Sequence, residues 1–171
     1  VPSADKPCFL ELKKKYKGIV FKRRISAPYT DIKSYMAGED SGIENSQILK
    51  EIDYFRRFYG CLKPAADIFY DREAFYDRTD SSVRLTFDSN ILARGWDLEL
   101  ENGIYGERVL ENGLYILEVK TSGAMPMWIA EMLNEFKIYP TSFSKYGTAY
   151  KNGLLTRENK KIITLGGEYC A

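Results

Sequence analysis

The chain of 171 residues is 44% hydrophobic and 29% charged, with a mean hydropathy of −0.36, which suits one ordinary core and excludes a disordered chain. It holds no histidine and three scattered cysteines, Cys8, Cys61 and Cys170, which excludes Ser-His-Asp and Cys-His nucleophiles, imidazole bases and Cys/His zinc sites, so any metal must be oxygen-bound, which favours magnesium, manganese or calcium. Net charge is only +1, yet eight Lys and Arg against two carboxylates give residues 1–27 a local +6 and leave −5 for the rest; such a field attracts phosphates, and a solvated lysine-rich strand explains it equally well.

In chain order, Phe9 to Lys15 and Lys17 to Ile25 read as a hairpin turning at Tyr16 to Gly18, with aromatic and β-branched residues suited to strands. A short helix is expected over Tyr29 to Met36, capped by Thr30 or Asp31 and stopped by Gly38. Ser41 followed by Glu44 reads as a capping box, and Ile48, Ile52, Phe55 and Tyr59 recur at helical spacing before Gly60. Strands follow at Ile68 to Tyr76, at Val83 to Asp88 continuing toward Ala93, and at Leu114 to Thr121, with turns at Asp80-Ser81-Ser82 and Asn112-Gly113. Pro126 opens a helix with Trp128, Met132 and Phe136 on one face and Ile129 and Leu133 beside it, and another short helix is expected near Lys145 to Leu154. Strands, helices, strands, helices without regular βαβ alternation predict an antiparallel α+β fold, in one domain over residues 1–171. No stretch of about 18 apolar residues occurs and the start lacks the pattern of a leader, so the reading is cytoplasmic, with no transmembrane segment and reduced thiols.

Side chains two apart on a strand share a face. Glu11 and Lys13 therefore oppose Leu10 and Leu12; Lys22 and Arg24 share a face; Arg84, Thr86 and Asp88 oppose Val83, Leu85 and Phe87; Glu118 and Lys120 oppose Leu117 and Val119; Arg72 lies between Tyr70 and Ala74. A half-exposed antiparallel sheet with its polar side in water produces the same alternation. Arg and Lys with a few carboxylates is also the mixture that metal-bound phosphate requires, since basic side chains hold phosphate oxygens and Glu holds the metal.

Six segments carry a more specific resemblance: Phe9-Leu10-Glu11-Leu12-Lys13, Phe21-Lys22-Arg23-Arg24, Tyr70-Asp71-Arg72-Glu73-Ala74-Phe75, Val83-Arg84-Leu85-Thr86-Phe87-Asp88, Leu117-Glu118-Val119-Lys120 and Phe143-Ser144-Lys145-Tyr146. In that order, with Pro126 and Trp128 after the fifth, they resemble the VTC domain, the polyphosphate polymerase branch of the CYTH-like triphosphate tunnel metalloenzymes. The resemblance implies an antiparallel β-barrel with flanking helices, its basic tunnel receiving Lys13, Lys22, Arg24, Arg72, Arg84, Lys120 and Lys145. It implies that Arg72 and Arg84 clamp a nucleotide triphosphate, that Lys13 is catalytic, and that Glu118 binds Mn2+ or Mg2+. Glu11 reads either as a second metal ligand or, with slight preference, as a salt-bridge partner orienting Lys13.

Phosphoryl transfer needs positioning and charge rather than a protein nucleophile. The implied reaction is transfer of the ATP γ-phosphate to a growing polyphosphate; a metal-dependent triphosphatase or a non-catalytic polyphosphate sensor are the alternatives. The family's upstream strand with an alternating arginine pair has no counterpart before Phe9, and Ser142 stands where eukaryotic members have lysine. An open or incomplete barrel, and self-association through unpaired strand edges, are expected from the first departure. ATP and polyphosphate or triphosphate are the expected partners, and nucleic acid is not, because no RNP-like motif accompanies the tyrosines.

Overall fold

In the computed structural model, which describes residues 6–60 and 62–155, Lys17 and Gly18 both take positive φ, 47° and 81°. That is the twist a two-residue hairpin turn requires. It joins β1 (Pro7–Tyr16) to β2 (Ile19–Pro28) in an antiparallel register that sets Glu11 opposite Arg24 and Lys13 opposite Lys22. The other face of the hairpin carries Leu10, Leu12 and Ile25, and α1 (Tyr29–Ala37) and α2 (Gln47–Tyr59) close over it. Leu12, Tyr35, Leu49 and Ile52 form the buried centre of this first unit, which among the described residues also takes in the short 3-10 turn Leu100–Asn102. Lys33 of α1 holds Glu99 at 2.8 Å and Glu101 at 3.2 Å beside that turn.

The hairpin and both helices match their sequence reading, but the caps do not. The side chain that caps α2 is Ser46, whose Oγ accepts from the Leu49 N–H at 3.2 Å, so Ser41 and Glu44 precede the helix rather than box its start. Helix α1 starts directly after Pro28 without a side-chain cap, and Thr30 and Asp31 lie inside it; Gly38 ends it as expected.

The second unit spans Ala65–Leu98 and, among the described residues, 104–155. It is built on a four-stranded antiparallel sheet in which β4 (Arg84–Arg94) is central. On one side of β4 runs β3 (Asp67–Tyr76); on the other, β5 (Glu107–Arg108) and β6 (Ile116–Lys120) pair with different stretches of it. Both sheets are antiparallel and neither closes on itself, so the observed class is α+β with four helices among the described residues.

A bulge in β4 decides what lies where. The pairing shifts between Phe69–Leu92 and Asp71–Ser89, and Asn90 takes φ 49° at the extra residue. An inserted residue flips strand parity. Arg84, Thr86 and Asp88 therefore share a face not with Asn90 and Leu92 but with Ile91 and Ala93. That face divides lengthwise into a charged end and an apolar end, where Ile91, Ala93, Val109, Ala149 and Leu155 form the core with Ile68, Ile116 and Phe143 packed on it. Helix α4 (Lys145–Lys151) supplies Ala149, which fixes Lys145 at the helix start beside the charged end.

Helix α3 (Met127–Glu135) follows Pro126 as predicted, but its buried residue is Ile129; Trp128 and Phe136 are 44% and 67% exposed. Helix α4 stops at Lys151, short of the predicted Leu154. Among the described residues no helix is long and apolar enough to cross a membrane. Of the cysteines, Cys8 is free and half-buried, and Cys61 and Cys170 lie outside the described residues.

Candidate functional site

In an antiparallel sheet, directly paired residues point to the same side. Arg72 pairs with Asp88, Arg84 with both Tyr76 and Lys120, and Thr86 with Glu118, so five charged side chains from three strands share the charged end of the β4 face. Lys145 joins them from α4. Within the second unit, the fold thus brings Arg72, Arg84, Glu118, Lys120 and Lys145 onto one surface.

This face is not a solvated exterior. Asp88 is 1% exposed and Thr86 2%, whereas Leu85 and Phe87, on the opposite face, are only half-buried. A polar-out sheet would show the reverse. Burying a carboxylate is costly unless it is paired, and Asp88 is paired twice. Arg72 donates from Nε to one Asp88 oxygen at 2.6 Å and from Nη2 to the other at 2.7 Å, and Lys145 Nζ donates to the second oxygen at 2.5 Å. Burial alone would push the Asp88 carboxyl up, but the bonds and charges of Arg72 and Lys145 outweigh it and hold it below its ordinary value. The same bond to Asp88 raises the Arg72 guanidinium further.

Tyr70 reinforces the arrangement. Its ring lies 5.0 Å from the Arg72 guanidinium and 4.5 Å from Lys145 Nζ. Glu118 is looser: Lys120 sits 3.2 Å from one of its oxygens and Arg72 3.9 Å from the other, with the Glu118 side chain 44% exposed. Arg84 lies 5.2 Å over the Tyr76 ring, and its Nε, like the Thr86 hydroxyl, is buried without a hydrogen-bond partner. Orphaned buried donors are rare, and an ordered water, an ion or a ligand can complete their bonding. Four cations against two carboxylates leave the cluster with two net positive charges.

Lys13, Lys22, Arg24 and Glu11 belong to the first unit, where they share the exposed face of the hairpin. Arg24 lies 4.4 Å over the Phe9 ring. Glu11 ion-pairs with Lys22, not with Lys13, because Lys22 reaches back across the hairpin diagonal. Lys14 points away from Lys13 and Lys15, as the strand pleat predicts, and faces the side where Arg23 meets Glu51 at 3.7 Å.

A family model of the VTC domain matches residues 1–153. The chain belongs to the VTC domain family. No curated protein matches it. Membership is consistent with a polyphosphate-related function and with phosphate-bearing ligands.

Two contributors to this VTC domain's charged face, Asp88 and Tyr70, stand in the strand patterns read from the sequence but carry no role there. Asp88 stands on the same strand face as Arg84, and that spacing was the available signal, but a lone Asp on an alternating strand reads as a solvated carboxylate until α4 brings Lys145 against it. Tyr70, two residues from Arg72, was passed over as one tyrosine among thirteen.

Proposed function

We propose that this VTC domain binds triphosphate and polyphosphate on its basic faces and transfers the γ-phosphate of ATP to a growing polyphosphate chain with a divalent metal. The observation that carries the proposal is the buried polar centre, Asp88 and Thr86, of the charged face of the four-stranded sheet. Arg72 is locked on Asp88 there, while the Arg84 Nε and the Thr86 hydroxyl are buried without partners. The tunnel-like barrel that the family resemblance implies belongs to this proposal.

In this reading Arg72 and Arg84 hold the triphosphate through the guanidinium edges left free, and Lys120 and Lys145 supply further charge. On the first unit, Lys13, Lys22 and Arg24 hold phosphates of the polyphosphate chain. An oxygen of the terminal polyphosphate unit attacks the γ-phosphorus, the bond to the β-bridging oxygen breaks, and ADP leaves. The attacking oxygen is already anionic and needs no general base, in keeping with a chain that has no histidine.

In this reading Mn2+ or Mg2+ would enter the site as a metal–phosphate complex. Among the described residues no three Asp, Glu, Cys or His side chains converge, so Glu118 would hold the ion with phosphate oxygens and water completing its shell. When bound, the ion would neutralise charge on the phosphates. Glu11, committed to Lys22, serves in this reading to place that lysine rather than to bind metal.

The test is incubation with ATP, manganese and a short polyphosphate primer. Primer lengthening with stoichiometric ADP supports the transferase. Release of inorganic phosphate without lengthening would replace it with a triphosphatase, and tight tripolyphosphate binding without turnover would replace it with a sensor.

A further inference from the structure

We propose that Asp88 is a positioning residue, whose single carboxylate holds Arg72 and Lys145 as one preset cationic clamp; the proposal rests on the phosphate-binding reading above. The two cations come from elements distant in the chain, a strand two positions beyond Tyr70 and the first residue of α4. Asp88 joins them, and both of its oxygens are used. A guanidinium is planar, so fixing Nε and Nη2 fixes the plane and directs Nη1 and the remaining Nη2 hydrogen to the side away from Asp88. Tyr70 pins the same pair from its ring face. Rotamer freedom of two long side chains is thereby lost on folding rather than on binding, which favours affinity.

The sign of the effect separates positioning from charge. Asp88 contributes a buried negative charge at a surface read as binding a polyanion. By Coulomb's law alone, removing it strengthens binding. If its role is to hold the clamp, removing it weakens binding instead.

The experiment is calorimetric titration of tripolyphosphate into the wild-type chain, Asp88→Asn, Arg72→Ala and the double variant. Asp88→Asn is expected to bind about tenfold more weakly, the worth of one charge-assisted contact. In the Arg72→Ala background the same change should cost clearly less, because only Lys145 is then left for the carboxylate to position. Wild-type binding with an unchanged or tighter Asp88→Asn variant overturns this inference alone. No wild-type binding overturns the phosphate-binding reading and takes this inference with it. An amine-reactive probe on the wild-type chain, read by mass spectrometry, needs neither ligand nor variant: Lys145, 22% exposed and bonded to Asp88, should react more slowly than Lys120, 57% exposed. Equal rates would overturn the inference even where Asp88→Asn fails to fold.

Discussion

Replacing Arg72 with alanine removes two short bonds from a carboxylate whose side chain is 2% exposed, and leaves Lys145 as its hydrogen-bonded partner. Exposed pairs contribute at most about 1 kcal/mol. Stripping one partner from a buried pair costs about 3–5 kcal/mol. The Arg72 side chain is 30% exposed and one cation remains, so the loss should lie between these limits, at about 2 kcal/mol near neutral pH. Both tryptophans, Trp96 and Trp128, belong to the second unit, so urea unfolding followed by their fluorescence reports on the right part of the chain. The loss should also depend on pH. Asp88 is held below its ordinary value when folded, so its pairing stabilises fully above the unfolded carboxylate range, about pH 4, and fades as pH falls through the folded value. The gap between wild type and Arg72→Ala should narrow accordingly in acid. A loss below about 0.5 kcal/mol at neutral pH, the range of ordinary surface changes, or a gap that stays constant into acid, would refute the pairing as a source of stability.

Ser46→Ala should cost about 1 kcal/mol in urea unfolding followed by far-UV circular dichroism, whereas Ser41→Ala should stay within about 0.5 kcal/mol; the opposite order would restore the capping box read from the sequence. Gly95→Ala should lower the unfolding midpoint by about 1–3 kcal/mol of stability, because an added Cβ would lie 2.6 Å from the Leu155 carbonyl oxygen and 2.7 Å from its Cα, both main chain. Glu118→Gln should reduce tripolyphosphate affinity in manganese to the metal-free level and leave metal-free affinity intact. Calorimetry with and without manganese checks this, and an equal loss in both buffers would assign Glu118 to orienting Lys120 and Arg72 instead.

The elements were legible because their signals are local. Alternation marks the strands, the i, i+4 recurrence of Ile48, Ile52 and Phe55 marks α2, and Lys17-Gly18 marks the hairpin turn. The charged faces were legible for the same reason, since parity on a regular strand assigns Arg84, Thr86 and Asp88 together. What escaped depends on geometry that one residue alters or that distant segments create. The Asn90 bulge flips parity within β4, and the run Asp88-Ser89-Asn90-Ile91 does not by itself show that one residue is inserted. Asp88 acquires its role only when residue 145 arrives through the packing of Ala149. Ser41 and Ser46 both precede the α2 pattern, and the chain enters the helix at the second, where Oγ reaches the Leu49 N–H. Lys22 rather than Lys13 meets Glu11 because pairing across a hairpin, not neighbourhood along a strand, sets the distance.

The most direct measurement is calorimetric titration of tripolyphosphate into the wild-type chain and Arg84→Ala. Arg84 has a buried Nε without a partner, so its removal breaks no hydrogen bond from that nitrogen, and the unfolding midpoint of Arg84→Ala, which loses the contact with the Tyr76 ring, is measured beside the titration. If the buried face is the phosphate site, wild type binds and Arg84→Ala binds at least about tenfold more weakly, as loss of a charge-assisted contact requires. Equal affinity in the two proteins, or no binding to wild type, would contradict the assignment of that face to phosphate.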